Sequence, residues 1–188
     1  MAECEWVDMK VYGINSGDGY ELCHPKDEND FGSIATLVNG RERRRTWSPI
    51  RMRIIKEDER VPLRESDSPW LGSYALIFRP RAVNALRSLL EVSGELLPLA
   101  PANAGLQIYN PTFVVDALDE DRSKLTRSDG YILIVYTYIF RPEVIRNLPI
   151  FKISNLRVSP TFVDESFVSL WKASGLKGLD FTQVWEEN

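Results

Sequence analysis

Apolar residues recur at helical spacing in only two stretches of this chain. The other apolar runs are short, β-branched or aromatic, and read as strands. Residues 5–12 alternate loosely and predict a strand, whereas residues 13–32 are polar, rich in Gly, Asp and Asn, and read as a loop. Two extended runs, 33–38 and 41–47, flank Asn39-Gly40. Such a pair predicts a hairpin, because both residues tolerate positive φ. Residues 50–55 alternate and predict another strand, residues 57–69 read as a charged, proline-bearing surface linker, and residues 70–78 as a strand.

The first helical stretch opens at Pro80, since proline suits a first turn. Val83, Leu86, Leu89 and Leu90 share a face, and Gly94 closes the element. Residues 94–123 carry the most specific wording in the chain. Pro98 cannot donate a ladder hydrogen bond, so Leu96–Leu99 predicts an edge strand or a buried extended loop. After a connector at 101–105, residues 107–115 suit a half-buried pleated surface, with Pro111 breaking or bulging the strand. Residues 116–123 form a charged turn. The longest apolar run, 131–140, predicts a central strand stopped by Arg141-Pro142. Residues 151–153 predict a short strand. Asp164 is placed to cap a helix over 165–174, with Phe167, Leu170 and Trp171 on one face and Gly175 as its stop. Residues 179–185 predict the last strand. These elements make an α+β fold, with a mixed, largely antiparallel sheet and two main helices. Residues 67–188 read as an α+β domain and residues 1–66 as a variable, β-rich N-terminal region, either part of that same domain or an appendage to it.

Composition narrows the function by exclusion. The chain has 188 residues, 44% apolar, with a formal net charge of −4, which gives no overall drive toward nucleic acid or anionic membrane. Two cysteines, Cys4 and Cys23, are too few for a disulfide framework and fit reduced thiols in a cytosolic protein. No signal-peptide pattern and no membrane-length apolar run occur, so the expected location is the cytoplasm.

Each candidate chemistry has a plainer reading. His24 is the single histidine, so any imidazole chemistry must use it. His24-Pro25-Lys26, followed by Asp30 and Gly32-Ser33, faintly echoes the phospholipase D signature. The Lys-to-Asp spacing is one residue short, and a second copy is missing. Cys23, His24 and Asp27 can be drawn as a zinc site, but a structural site needs four matched ligands. Residues 119–130 begin like a calcium loop, yet Lys124 stands where glycine is needed and Gly130 where a bidentate Glu is needed. No phosphate loop and no GxSxG elbow occur. Arg41, Arg43, Arg44 and Arg45 beside Trp47 could contact a phosphate backbone, or protect a strand edge. The carboxylates Asp116, Asp119, Glu120 and Asp121 read as an acidic turn, or as a surface for basic side chains of a partner.

One ordered set of segments resembles a known family. A helix leads into GELLPL at 94–99, then YNPTFVVDALDEDRS at 109–123, then IFRPEVI at 139–145, then FVSLWKASGLKGLDFTQVW at 167–185. This order resembles family eleven of the immunity proteins of bacterial polymorphic toxin systems, over about residues 67–185. The family's C-terminal hallmark, a short helix, a Gly-Leu-x-Gly-Leu-x-Phe turn and a Val-Trp tail, matches 175–181 and Val184-Trp185. The resemblance implies a cytosolic protein encoded beside a toxin, which it neutralises by stoichiometric binding, with no activity and no cofactor of its own. It implies turn roles for Gly94, Gly175 and Gly178, and packing roles for Leu97, Leu179, Phe181 and Trp185. The expected partner is a cognate protein toxin, with a nuclease among the candidates. Two rival readings are a nucleic-acid-binding module using the 41–47 hairpin, and a small enzyme with a site near Asp116–Asp121.

Overall fold

A computed structural model describes residues 9–101 and 104–187. In chain order the elements are β1 (Lys10–Ser16), β2 (Leu22–Pro25), the short helix α1 (Asp30–Ala35) continued by a 3-10 turn (Thr36–Val38), β3 (Met52–Ile55), β4 (Glu57–Asp58), β5 (Val61–Pro62) and β6 (Ile77–Phe78). Helix α2 (Pro80–Ser93) then leads into β7 (Gly94–Pro98), β8 (Gln107–Pro111) and β9 (Val114–Val115). The last part comprises β10 (Lys124–Ser128), β11 (Tyr131–Thr137), α3 (Pro142–Ile145), β12 (Ile150–Ile153), β13 (Phe162–Asp164), α4 (Glu165–Ala173) and β14 (Leu179–Glu186).

A five-stranded sheet runs in the order β14-β1-β13-β12-β9 and is antiparallel except for the β12–β9 pair. With α2 and α4 as the two main helices, the fold is α+β with a mixed, largely antiparallel sheet. Alternation along each strand sends neighbouring residues to opposite faces. Ile14, Ile150 and Val163 therefore pack with Phe167, Val168 and Trp171 of α4 and with Val83, Leu86 and Leu90 of α2. Val11, Phe151 and Phe162 face the other way, onto Phe140, Ile145 and Ile132. Phe140 centres that second cluster, with ring centroids 5.3 Å from Phe162 and 5.8 Å from Phe151. A third cluster joins β2, β3 and α1 to the antiparallel β6-β8-β7 sheet through Cys23, Ile34, Met52, Ile77, Leu97 and Ile108.

Both helices follow their sequence signals. Pro80 stands in the first turn of α2, and Val83, Leu86 and Leu90 are buried. Asp164 caps α4, its carboxylate accepting from Phe167 N at 3.0 Å. Strand β7 is an edge strand, as Pro98 requires. Pro111 ends β8, and the chain resumes as β9 in a different sheet. Gly94 is not a turn glycine. Its backbone is extended, and glycine is needed there because a Cβ would lie 2.3 Å from Asn110 O.

Several expectations are corrected. The hairpin about Asn39-Gly40 does not form: residues 30–35 are helix, 36–38 a 3-10 turn, and 41–47 carry no strand. Ile34 and Leu37 are buried at helical spacing, and Asn39 Oδ1 accepts from Arg41 N, a local turn that competes with strand pairing. The 13–32 loop instead holds the end of β1, all of β2 and the start of α1. The linker at 57–69 contains the β4–β5 ribbon, turning at Glu59 and Arg60, both with positive φ, before Ser66, Asp67 and Ser68 become buried. Of 70–78, only Ile77–Phe78 is strand. The strand expected at 5–12 begins at Lys10; residues 5–8 lie outside the described residues.

The central strand expected at 131–140 is the largest correction. Among the described residues, strand β11 pairs only with β10, in a two-stranded ribbon. Asp129 and Gly130 both take positive φ (51° and 80°), so the chain folds straight back onto residues 124–128. The inner positions of the main sheet belong to β1, β13 and β12. Two register shifts in the ribbon break its alternation. Ile132 and Val135 turn inward, while Tyr131, Leu133, Ile134 and Tyr136 stay exposed.

Two charged groups inside the fold were not legible as such. Lys152, in the middle of β12, is fully buried, and its ammonium donates to Tyr74 O at 2.6 Å and Leu37 O at 3.3 Å. Burial pushes its pKa down to about 8. Glu21 is equally buried and meets Arg79, at the start of α2, at 2.5 Å. Among the described residues, no helix is long and apolar enough to cross a membrane.

Candidate partner-binding surface

The acidic turn sits between β9 and β10, at the foot of the ribbon. Its backbone is fixed first: Asp119 N donates to Ile139 O at 2.9 Å, Arg141 N to Ala117 O at 2.8 Å, and Ile139 N to Ser123 Oγ at 3.0 Å. The segment leaving the ribbon, residues 139–141, thus clamps the turn. Asn155, from the loop after β12, then joins two of the carboxylates. Its amide donates to Asp116 Oδ1 at 2.8 Å and to Glu120 Oε1 at 2.7 Å.

The carboxylates differ in how far they are committed. Asp116 pairs with Arg141 at 3.1 Å, Glu120 with Arg127, and Asp119 with Arg122 at 3.9 Å. The Asn155 amide, helped by Arg141, holds Asp116 below the usual carboxylate range; the same amide and Arg127 do so for Glu120. Asp121 is exposed and has no ion pair among the described residues. The structure therefore brings Asp116, Glu120 and Asn155 together, keeps Asp119 as a turn-former, and leaves Asp121 pointing to solvent. Asn155, Arg127 and Arg141 were not singled out in the sequence, because their distances along the chain from the turn carry no local signal.

The residues drawn for other chemistries are placed differently. The segment 41–47 is a loop held by Glu95, whose carboxylate accepts from Arg43 N at 2.7 Å and Arg44 N at 3.2 Å. Burial pushes the Glu95 pKa up, but the Arg43 N–H, the Asn110 amide and the Arg44 N–H outweigh it and hold the carboxyl below its ordinary range. Trp47 Nε1 donates to Pro98 O at 2.8 Å, so its ring is an anchor for the loop. Arg41, Arg44 and Arg45 remain exposed. Cys23 is fully buried, and desolvation pushes its thiol up to about 12, as for an inert core thiol. His24 packs edge-on against Phe31. Cys4 lies outside the described residues, and among those described no group of three or more His, Cys, Asp or Glu could hold a metal. The calcium-like run 119–130 continues into β10 and the Asp129-Gly130 turn, so its carboxylates do not converge.

The C-terminal wording has a structural basis. Gly178 takes φ 106°, and a Cβ there would lie 2.4 Å from Ser66 Cβ. The turn is tied down by Asp67, which accepts from Lys177 N at 2.8 Å and from Arg81 at 2.9 Å. Arg81 also donates to the carbonyls of Ser174 and Gly175, placing a cation at the C-terminal end of α4. Leu97 and Leu179 are buried, and Phe181 packs on Phe167 and Trp171 at 6.0 Å. Trp171 is buried, whereas Trp185 is half-buried, edge-on to Phe140 at 5.9 Å.

No curated protein matches the chain. The model of the Immunity protein family (Imm11) does, over residues 108–186, a span that holds the acidic turn, the ribbon, α4 and β14. Over those residues the chain is similar to the Imm11 immunity proteins, the family that its wording resembles.

Proposed function

We propose that this protein is an immunity protein of a bacterial polymorphic toxin system, acting in the cytoplasm by binding a cognate toxin one to one, without turnover. The family match over 108–186 carries this reading. We take residues 67–188 as the immunity-protein-like part and residues 1–66 as a variable region of the same domain, a reading supported by β1 lying between β14 and β13 in the main sheet.

The acidic turn is proposed as part of the toxin-facing surface. Asp116, Asp119, Glu120 and Asp121 sit on a backbone already clamped by residues 139–141 and Asn155, so little order has to be gained on binding. Asp121 offers a free negative charge at its tip. A net charge of −4 suits a basic toxin such as a nuclease, because complementary charge raises the encounter rate. No observation favours the nucleic-acid or enzyme alternatives over this reading.

The test replaces Asp119, Glu120 and Asp121 with Ser and measures association with the toxin encoded beside the gene. A slower on-rate and weaker protection are expected, with a modestly lower melting temperature, because half-buried Asp119 and Glu120 give up their bonds to Arg122 N and the Asn155 amide while exposed Asp121 adds little to stability. Full protection with unchanged kinetics would remove the turn from the interface. Failure of the wild type to bind or protect against that toxin would remove the function itself.

A further inference from the structure

Strands β2 and β3 bring like charges together. Their register sets His24 opposite Arg53 and Pro25 opposite Met52. One step further, Lys26 N donates to Arg51 O at 2.8 Å, so Lys26 stands opposite Arg51. Residues directly opposite share a face of an antiparallel pair, and like charges placed there repel. Pro25 and Met52 are buried, whereas Lys26, Arg51 and Arg53 are exposed, which gathers three cations on the outer face. None of the three has an ion pair among the described residues. Elsewhere the chain does the opposite: Arg79, Arg81, Arg127 and Arg141 are each matched with a carboxylate.

The opposed pair opens onto a cleft. Lys26 and Arg51 line a cavity of about 600 Å³ whose other walls come from α1, the 3-10 turn and the loop around Trp47. Arg43 lines it too. Its Nη2 donates to Thr36 O at 3.2 Å and Asn39 Oδ1 at 3.4 Å, but its Nε is buried with no acceptor. A buried donor left without an acceptor costs stability, and more so on a charged group. Two carboxylates also reach the cleft, and neither balances these cations. Asp27 accepts from the backbone N–H and the side-chain amide of Asn29, both at 2.9 Å, and Asp30 stands in the first turn of α1. Neither forms an ion pair with Lys26, Arg43 or Arg51.

We propose that this cleft binds the phosphate groups of a small molecule that carries a diphosphate or triphosphate. An anion set between Lys26 and Arg51 turns their repulsion into attraction, and phosphate oxygens supply the acceptors that a guanidinium lacks. The volume is that of a small-molecule site and exceeds what one phosphate fills. The half-buried Trp47 ring and the Ser33 and Ser48 hydroxyls line the remaining space, where an organic group on the phosphate would lie. A nucleic-acid strand fits less well: the site is a bounded cleft, and a net charge of −4 repels a long polyanion. The cleft lies outside the 108–186 family match and does not depend on the toxin reading.

Isothermal titration of the full chain with sodium pyrophosphate and with magnesium-free ATP tests this. Each should bind one to one, more weakly as sodium chloride is added, and each should raise the melting temperature by mass action. Lys26→Gln and Arg51→Gln should each weaken binding about tenfold or more, the loss of one charge-assisted hydrogen bond. In phosphate-free buffer the same variants should melt no lower than the wild type, because each removes one of two opposed charges. That second readout separates a binding role from a structural one. Variants that melt lower without phosphate would make the two cations structural and overturn the proposal. So would the absence of saturable binding at millimolar pyrophosphate and ATP, or binding untouched by either substitution. Sulfate binding as tightly as pyrophosphate would mean an adventitious ion only. A ten-nucleotide single strand binding more tightly than ATP would make the site a nucleic-acid contact instead.

Discussion

Lys152 gives the sharpest physical prediction. It is fully buried, bound only to the Tyr74 and Leu37 carbonyls, and no carboxylate pairs with it among the described residues. Its folded pKa of about 8 lies below the free value of 10.5. Between those values the unfolded chain holds the proton more tightly, so stability should rise with pH from about 8 to 10.5. The gap is worth about 3 kcal/mol at roughly 1.4 kcal/mol per pH unit. The total pH profile will not show this cleanly. Cys23, pushed up to about 12, and the raised Tyr12, Tyr109 and Tyr138 all work in the opposite sense above pH 9 or so, because the unfolded chain loses those protons first. The difference between wild type and Lys152→Met removes these common terms. Near pH 7 the two should lie within about 2 kcal/mol of each other, since the variant escapes burying a charge but leaves two carbonyls without donors. Urea unfolding at a series of pH values should then show the wild type gaining about 3 kcal/mol on the variant between pH 8 and 10.5. A flat difference over that range would mean that Lys152 is stabilised in its charged form and that burial is not what governs it.

Other substitutions probe the packing. Trp171→Ala should cost about 3–5 kcal/mol, as for a buried aromatic, whereas Trp185→Ala, half-buried at the rim, should cost about 2 kcal/mol; chemical denaturation of both measures the ratio, and equal losses would put Trp185 in the core. Gly94→Ala should lower the melting temperature more than any exposed Gly→Ala change, because its Cβ would meet backbone at Asn110 O, which cannot rotate away. Gly130→Ala, with open space around it but φ 80°, is the comparison that separates crowding from backbone strain.

Local signals are legible where one segment settles its own structure. Pro80, the spacing of Val83, Leu86 and Leu90, and the Asp164 cap act within one or two turns, so both main helices were legible. Pro98 and Pro111 likewise restrict their strands whatever the surroundings. The errors lie where distant segments decide. Asn39-Gly40 and Asp129-Gly130 are equally good hairpin pairs by composition, and only the second has a strand on each side. The register shifts in β10–β11 turn a run that looks buried into one that is half exposed. Glu95 and Asn155 organise loops about fifty and forty residues away, and nothing beside them in the sequence marks that role. The acidic turn itself was legible; its internal ion pairs with Arg141 and Arg127 were not.

The central claim is inhibition by occupancy, and a titration tests it most directly. Toxin held well above the dissociation constant should lose activity linearly and reach the baseline near one equivalent of this protein. The endpoint should not move with chelator or with His24→Ala, and toxin recovered after denaturing separation should be active and unmodified. A small fraction of an equivalent inactivating all of the toxin, with a mass change on the toxin or its substrate, would contradict the account and make this protein an enzyme.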